Sequence, residues 1–303
     1  MSDRLLFWIA FNSFVVLMLV LDLAVFHRQA HQVKFREALG FSAMWIALAG
    51  AFAVLVYFWH GHAKTLEFVT GYLVEESLSV DNLFVFLLIF RYFRVPARYQ
   101  HKVLFWGIVG ALIMRGVFIV VGVGLIHRFH WVIYLFGAFL IFTGLKLLRS
   151  GQAEVEPEKN PVLRLVRRWI PVTPDYVDGK FWVRKPGLFA TPLLLVLLVV
   201  ETTDVMFAAD SIPAVLAISR DPFIVYTSNV FAVLGLRSLY FALAGMMDLF
   251  HHLHYGLAVI LSFIGIKMLL SDVYPIPTGI ELGVVAGVLA ISIASSLLFP
   301  KKA

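Results

Sequence analysis

Two stretches of this chain place carboxylates in the middle of otherwise apolar sequence. The first, Tyr72 to Phe84, carries Glu75, Glu76, Ser77, Ser79, Asp81 and Asn82. The second, Leu198 to Pro213, carries Glu201, Thr202, Thr203, Asp204, Asp210 and Ser211. Carboxylate, amide and hydroxyl oxygens form a hard ligand set. Such sets suit Mg²⁺, Ca²⁺ or Mn²⁺, and their types alone do not separate the three. Cysteine is absent, and Met206 is the one soft ligand near the motifs, so thiolate metal sites and disulfide chemistry are excluded for this chain.

Helical spacing sorts these residues. Glu75, Ser79 and Asn82 recur at intervals of four and three and share one face. Glu201 and Asp204 do the same. Asp81 lies six residues after Glu75, and Asp210 six after Asp204, a rotation of about 240°. Either the helices are interrupted near the site, which Pro213 favours beside Asp210, or the off-face acids do separate jobs. Arg115 and Arg237 fall deep inside apolar runs and can partner the carboxylates. They would balance the cluster's charge without metal, or serve as structural ion pairs. Asn229 and Glu76 join the set as secondary candidates, with Ser79. Lys146 and Lys267 lie towards span ends and read as snorkelling cations. His251, His252 and His254, like His60 and His62, read as solvated turns more readily than as metal carriers. Asp22 reads as interfacial.

The elements that must position these groups are membrane helices. Of the 303 residues, 61% are hydrophobic and 15% charged, with a mean hydropathy of +0.89. Soluble domains are far more polar. Apolar runs near 5–26, 41–59, 68–90, 103–126, 131–148, 188–218, 223–247, 252–270 and 279–299 predict nine transmembrane spans. The first is too long for a cleaved leader and lacks a small-residue cleavage site, so it reads as a retained helix. The net charge of +6 is a topology signal, not a nucleic-acid one. One set of alternate loops, with the long segment 149–187, holds 17 Lys and Arg; the other holds four, Arg4, Lys64, Arg128 and Arg220. This bias predicts the N-terminus outside and the C-terminus in the cytoplasm.

The spans divide into 1–65 with two helices, 66–150 with three, a proline-rich cytoplasmic linker at 151–187, a second block of three at 188–271, and a last helix and tail at 272–303. The linker turns from acidic to basic, and the stretch 161–170 predicts a short amphipathic helix at the membrane surface. The two three-span blocks resemble each other. Arg94 and Pro96 match Arg220 and Pro222 at an offset of 126, which also lays Glu75 on Glu201. Arg115 matches Arg237 at 122, and Gly144 with Lys146 matches Gly265 with Lys267 at 121. Blocks of three spans cross the membrane in opposite senses. The expected fold is therefore an all-α membrane protein whose core is two inverted three-helix repeats, with a substrate site near the midplane. Spans 41–59 and 279–299 lack a polar constellation and read as peripheral. Gly279, Gly283 and Gly287 predict a close-packing face for another helix, in this molecule more readily than in a partner.

The stretches 75–82 and 201–214 are similar, nearly word for word, to the two acidic signature motifs of the TerC integral membrane family, closest to its Alx branch. The run from Ser228 to Tyr240 resembles a third block of that family, and the likeness extends over nearly the whole chain. It implies a bacterial inner-membrane protein linked to manganese export and metal homeostasis; tellurium resistance and redox modulation are older labels. Carried over, the metal ligands would be Glu75, Asp81, Asn82, Glu201, Asp204 and Asp210. Glu76 stands where the branch commonly has lysine.

The expected function is export of Mn²⁺ by alternating access through the carboxylate cluster. Protons are a candidate counter-ion, since buried carboxylates can titrate near neutral pH. The competing reading is a membrane scaffold or metal-delivery partner acting through the linker. No organic cofactor is implied, and oligomerisation is neither required nor excluded. An enzyme is not expected, because neither a paired-aspartate protease motif nor a Ser–His spacing is present. The redox label sits poorly with a chain that has no Cys and no haem or flavin motif.

Overall fold

The computed structural model describes residues 3–26, 35–150, 160–185, 187–244, 252–274 and 276–298. They form nine helices and one hairpin. These are α1 (Asp3–Phe26), α2 (Phe35–Tyr92), α3 (Ala97–Arg128), α4 (Val132–Ser150), α5 (Pro161–Trp169), β1 (Trp182–Lys185), β2 (Gly187–Ala190), α6 (Pro192–Ile218), α7 (Pro222–Leu243), α8 (Leu253–Leu269) and α9 (Thr278–Leu298).

Six of these helices are long and apolar enough to cross a membrane: α2, α3, α4, α6, α7 and α9. Apolar helical stretches Leu5–Leu21 and Leu253–Leu269 are shorter. The expected spans 41–59 and 68–90 are both inside α2, whose 58 residues bend at Gly61. Gly61 has φ +80° and ψ 178°, a conformation that suits a residue without Cβ. Large apolar side chains such as Phe58, Val120 and Ile291 face outward, as a lipid-facing surface requires.

Local chemistry sets the helix starts. Asp221 accepts from the Phe223 amide at 3.0 Å and is followed by Pro222, a capped start with proline in the first turn. Asn160 caps α5 by accepting from Val162 and Leu163 at 2.9 and 3.2 Å. The linker holds more order than its composition predicts. Besides the expected helix, β1 and β2 pair antiparallel, with Trp182 opposite Ala190 and Lys185 opposite Gly187. The hairpin occupies the start of the expected span at 188, and α6 begins at Pro192. Lys102 Nζ donates to the Gly179 carbonyl at 2.8 Å, and the Tyr176 hydroxyl donates to the Phe93 carbonyl at 2.8 Å. Burial pushes the Tyr176 phenol up to about 12, which keeps it a donor.

Helix α2 packs along α7, α3 along α6 and α4 along α8. An aromatic cluster of Phe11, Phe52, Phe68 and Phe231 seals α1, α2 and α7. The α4–α8 crossing is tighter. A Cβ on Gly137 would lie 2.8 Å from the Gly265 carbonyl, and one on Gly265 would lie 2.6 Å from the Gly137 carbonyl. The small-residue contact is therefore here. The expected packing face at Gly279, Gly283 and Gly287 is absent among the described residues, since nothing lies within 4 Å of a Cβ placed on any of the three.

Two further expectations are corrected. Lys267 does not snorkel. Its ammonium pairs with Glu281 at 2.5 Å and donates to the Ala217 carbonyl at 3.2 Å. Helix α9 is thus not devoid of buried polar groups, because Glu281 is fully buried. The folded chain surrounds this acid with α2 and α8. Lys146 is exposed, as expected.

Candidate functional site

The two acidic motifs meet on one guanidinium. Arg115, on α3 and only 1% exposed, forms an ion pair through Nη1 with Glu75 of α2. Its Nη2 reaches Asp204 Oδ1 of α6 at 3.1 Å, and its Nε donates to Asp204 Oδ2 at 3.4 Å. Nη1 also donates to Asn229 Oδ1 of α7 at 3.5 Å. Four helices converge here, and Glu75, Asp204 and Asn229 are all buried. Helical spacing accounts for the shared faces. Glu75, Ser79 and Asn82 are all turned inward and buried, and Asp204 is the fully buried acid of the second motif.

Polar capacity remains unused around this centre. The Ser79 hydroxyl, Asn82 Nδ2 and Asn229 Nδ2 are buried with no hydrogen-bond partner among the described residues. Such atoms are costly unless something satisfies them. Yet the space is small. A cavity of about 10 Å³ beside Asp204, lined by Leu83, Phe86, Leu104 and Ala111 among others, is at the lower limit for a single water. No group of three or more His, Cys, Asp or Glu among the described residues is arranged to hold a metal ion. In this conformation Arg115 fills the centre of the acidic cluster.

Not every sequence candidate joins it. Glu201 packs against α3, where a Cβ on Gly110 would overlap its carboxylate. Asp210 faces α4 and accepts from the Thr143 hydroxyl at 3.1 Å. The helix α6 runs unbroken from Pro192 to Ile218 with Pro213 inside it. The off-face acid is thus separated by rotation, and the expected interruption is absent. Glu76 lies towards α7, beside Gly235, and its Oε2 is buried without a hydrogen-bond partner. Arg237 is buried in α7. The side chains of Asp81 and Asp22, and all of His251, lie outside the described residues. His252 meets the Ser295 hydroxyl at 3.0 Å through Nδ1, and His60 and His62 are exposed.

The reading of the residues missed two neighbours. Thr143 is unremarkable in sequence; only the packing of α4 against α6 brings it to Asp210. Gly110 carried a faint signal, a glycine within an apolar helix.

Residues 60–303 match the profile of the integral membrane protein TerC family. The chain belongs to the TerC family. A membrane protein of Myxococcus xanthus is 52% identical over 292 residues, covering 96% of this chain and 92% of its own. A Salmonella typhi protein named "Putative membrane-bound redox modulator Alx" is 47% identical over 300 residues, covering 95% and 92%. A Rickettsia bellii membrane protein is 39% identical over 292 residues, covering 96% and 97%. No solved structure matches. The TerC motifs are therefore the segments that bring Glu75 and Asp204 onto Arg115. The redox name belongs to that relative; this TerC chain has no cysteine.

Proposed function

We propose that this TerC protein moves divalent cations across the bacterial inner membrane, with Mn²⁺ as the substrate exported from the cytoplasm. The observation that carries the reading is the meeting of Glu75 and Asp204, one from each acidic motif, on the single buried guanidinium of Arg115. Ionised groups at membrane depth cost several kcal/mol each and are retained where they serve a function. An arginine cannot leave by losing its proton. It would act as a tethered cation that holds the acids while no metal is bound. A divalent ion and the guanidinium would then alternate at the acids. The Ser79 hydroxyl, unpartnered among the described residues, and the amide oxygens of Asn82 and Asn229 would supply further neutral ligands. Glu201, one turn from Asp204, would serve the path from the α3 side, and Asp210 would act away from the centre. Protons are the proposed counter-ion.

The packing supports a two-block core. If the block of α2, α3 and α4 were exchanged with that of α6, α7 and α8, the α2–α7 contact would become the α6–α3 contact, and α4–α8 would map onto itself. That exchange is what an inverted repeat predicts, and alternating access by rocking of one block against the other follows from it. The charge bias of the loops supports an external N-terminus and a cytoplasmic C-terminus.

The test is ⁵⁴Mn²⁺ flux in liposomes containing the purified protein alone. Glu75→Ala and Asp204→Ala should abolish flux, whereas Asp210→Ala should lower it only in part. Flux unchanged in both of the first two variants would remove the proposed site. The rival reading, a scaffold or metal-delivery protein, draws support from the folded linker pinned by Lys102 and Tyr176. It predicts no flux without a partner.

A further inference from the structure

The linker touches the second acidic motif. Asn160 serves two elements at once. Its Oδ1 caps α5, while its Nδ2 donates to the Thr202 hydroxyl at 2.7 Å. Thr202 sits beside Glu201 and two residues before Asp204. Its hydroxyl in turn donates within α6, to the Leu198 carbonyl at 2.8 Å or the Val199 carbonyl at 3.0 Å. One side chain thus joins a short helix outside the bundle to the most polar turn of α6.

That short helix has two unlike faces. Leu163 is buried and Val166 packs against the same core. On the other side Leu165 is 58% and Trp169 75% exposed. Residues four apart share a face, so these two form one apolar strip. Arg164 and Arg168 are exposed alongside it, whereas Arg167, also exposed, lies on the far side of the helix. The neighbouring hairpin also exposes Trp182 and Leu188. An exposed tryptophan and leucine flanked by arginines fit the boundary between headgroups and acyl chains, where Trp concentrates. Guanidinium groups match phosphate oxygens in two-point bonds. The complementary partner is an anionic phospholipid surface.

We propose that α5 docks on the anionic headgroup layer and that Asn160 transmits this anchoring to Thr202, so that lipid charge sets how firmly the second acidic motif is held. The inference does not depend on which ion, if any, the cluster carries. Each arginine near an anionic surface favours docking about five-fold, so losing the two that border the strip, Arg164 and Arg168, weakens it by about twenty-five-fold.

The native chain has no cysteine, which permits clean double spin labelling at Leu165→Cys and Met206→Cys. Met206 is exposed one turn beyond Thr202. Label depth at 165 and the 165–206 distance distribution are read in full-length protein in vesicles of phosphatidylcholine alone or mixed with phosphatidylglycerol. The expected result is a deep label and a narrow distribution in anionic vesicles, and a shallower label and broad distribution in neutral ones. Replacing Arg164 and Arg168 by Gln should give the neutral-vesicle pattern even in anionic vesicles. Thr202→Val leaves the α5 cap intact and should broaden the distribution while the label stays deep. Identical patterns in both lipids would overturn the lipid surface as partner, and so would immobilisation at 165 that appears only on adding cytosolic protein. A Thr202→Val distribution as narrow as the parent's would overturn the coupling.

Discussion

Arg115 and Asp204 meet side-on, with Nη2 to Oδ1 at 3.1 Å and Nε to Oδ2 at 3.4 Å. Two parallel bonds fix the planes of both groups. The pair also joins α3 of the first block to α6 of the second. Removing one partner of a buried pair costs about 3–5 kcal/mol because the other is left charged and alone. Arg115→Leu should therefore lower the thermal stability of the protein in detergent markedly. Adding Glu75→Gln and Asp204→Asn should recover most of the loss. If Arg115→Leu unfolds at the parent's temperature, the pair is not what holds these helices.

Gly110 gives a subtler probe of Glu201. A methyl there would overlap the carboxylate, so Gly110→Ala must turn Glu201 aside. Gly124, on the same helix, has nothing within 4 Å of a Cβ. Gly110→Ala should slow Mn²⁺ flux several-fold, while Gly124→Ala should leave it unchanged. Equal rates in the two would show that the position of Glu201 does not matter to transport.

Asp210 should behave differently from Asp204. Its hydrogen bond comes from a neutral hydroxyl, which contributes about 0.5–1.5 kcal/mol, and Lys146 adds only a longer-range attraction. Thr143→Val and Asp210→Asn should each destabilise modestly, and the double variant should cost little more than one of them. A double-mutant cycle in thermal denaturation measures this coupling. Strict additivity would mean that the bond contributes nothing.

Lys267 and Glu281 form a second buried pair, remote from the motifs in sequence. Lys267→Met should destabilise strongly, by about 3–5 kcal/mol, because it leaves Glu281 uncompensated. Lys267→Met with Glu281→Gln should be close to the parent. Chemical denaturation in mixed micelles reads both. A single variant as stable as the double would contradict the pairing.

Much of this arrangement was legible in the residues. The period of the apolar runs located the helices, and the shared faces of Glu75 with Asn82, and of Glu201 with Asp204, followed from helical geometry. The depth of Arg115 in its span marked it as a partner of the acids. What was not legible depends on contacts between distant segments. Span 279–299 looked peripheral because only contacts with α2 and α8 bury Glu281. Gly279, Gly283 and Gly287 looked like a packing face, because spacing reports a stripe but not whether anything covers it. The hairpin at 182–190 was hidden by an apolar run continuous with α6. The choice between a broken helix and a divided set of acids required Thr143, which no periodicity picks out.

The crossing of α4 and α8 has a mechanical consequence. Where Gly137 and Gly265 face each other, main chain approaches main chain, with Ile141, Met268 and Leu269 closing in around the contact. Bulk added at either glycine would prise the two rods apart and reset the spacing between the blocks.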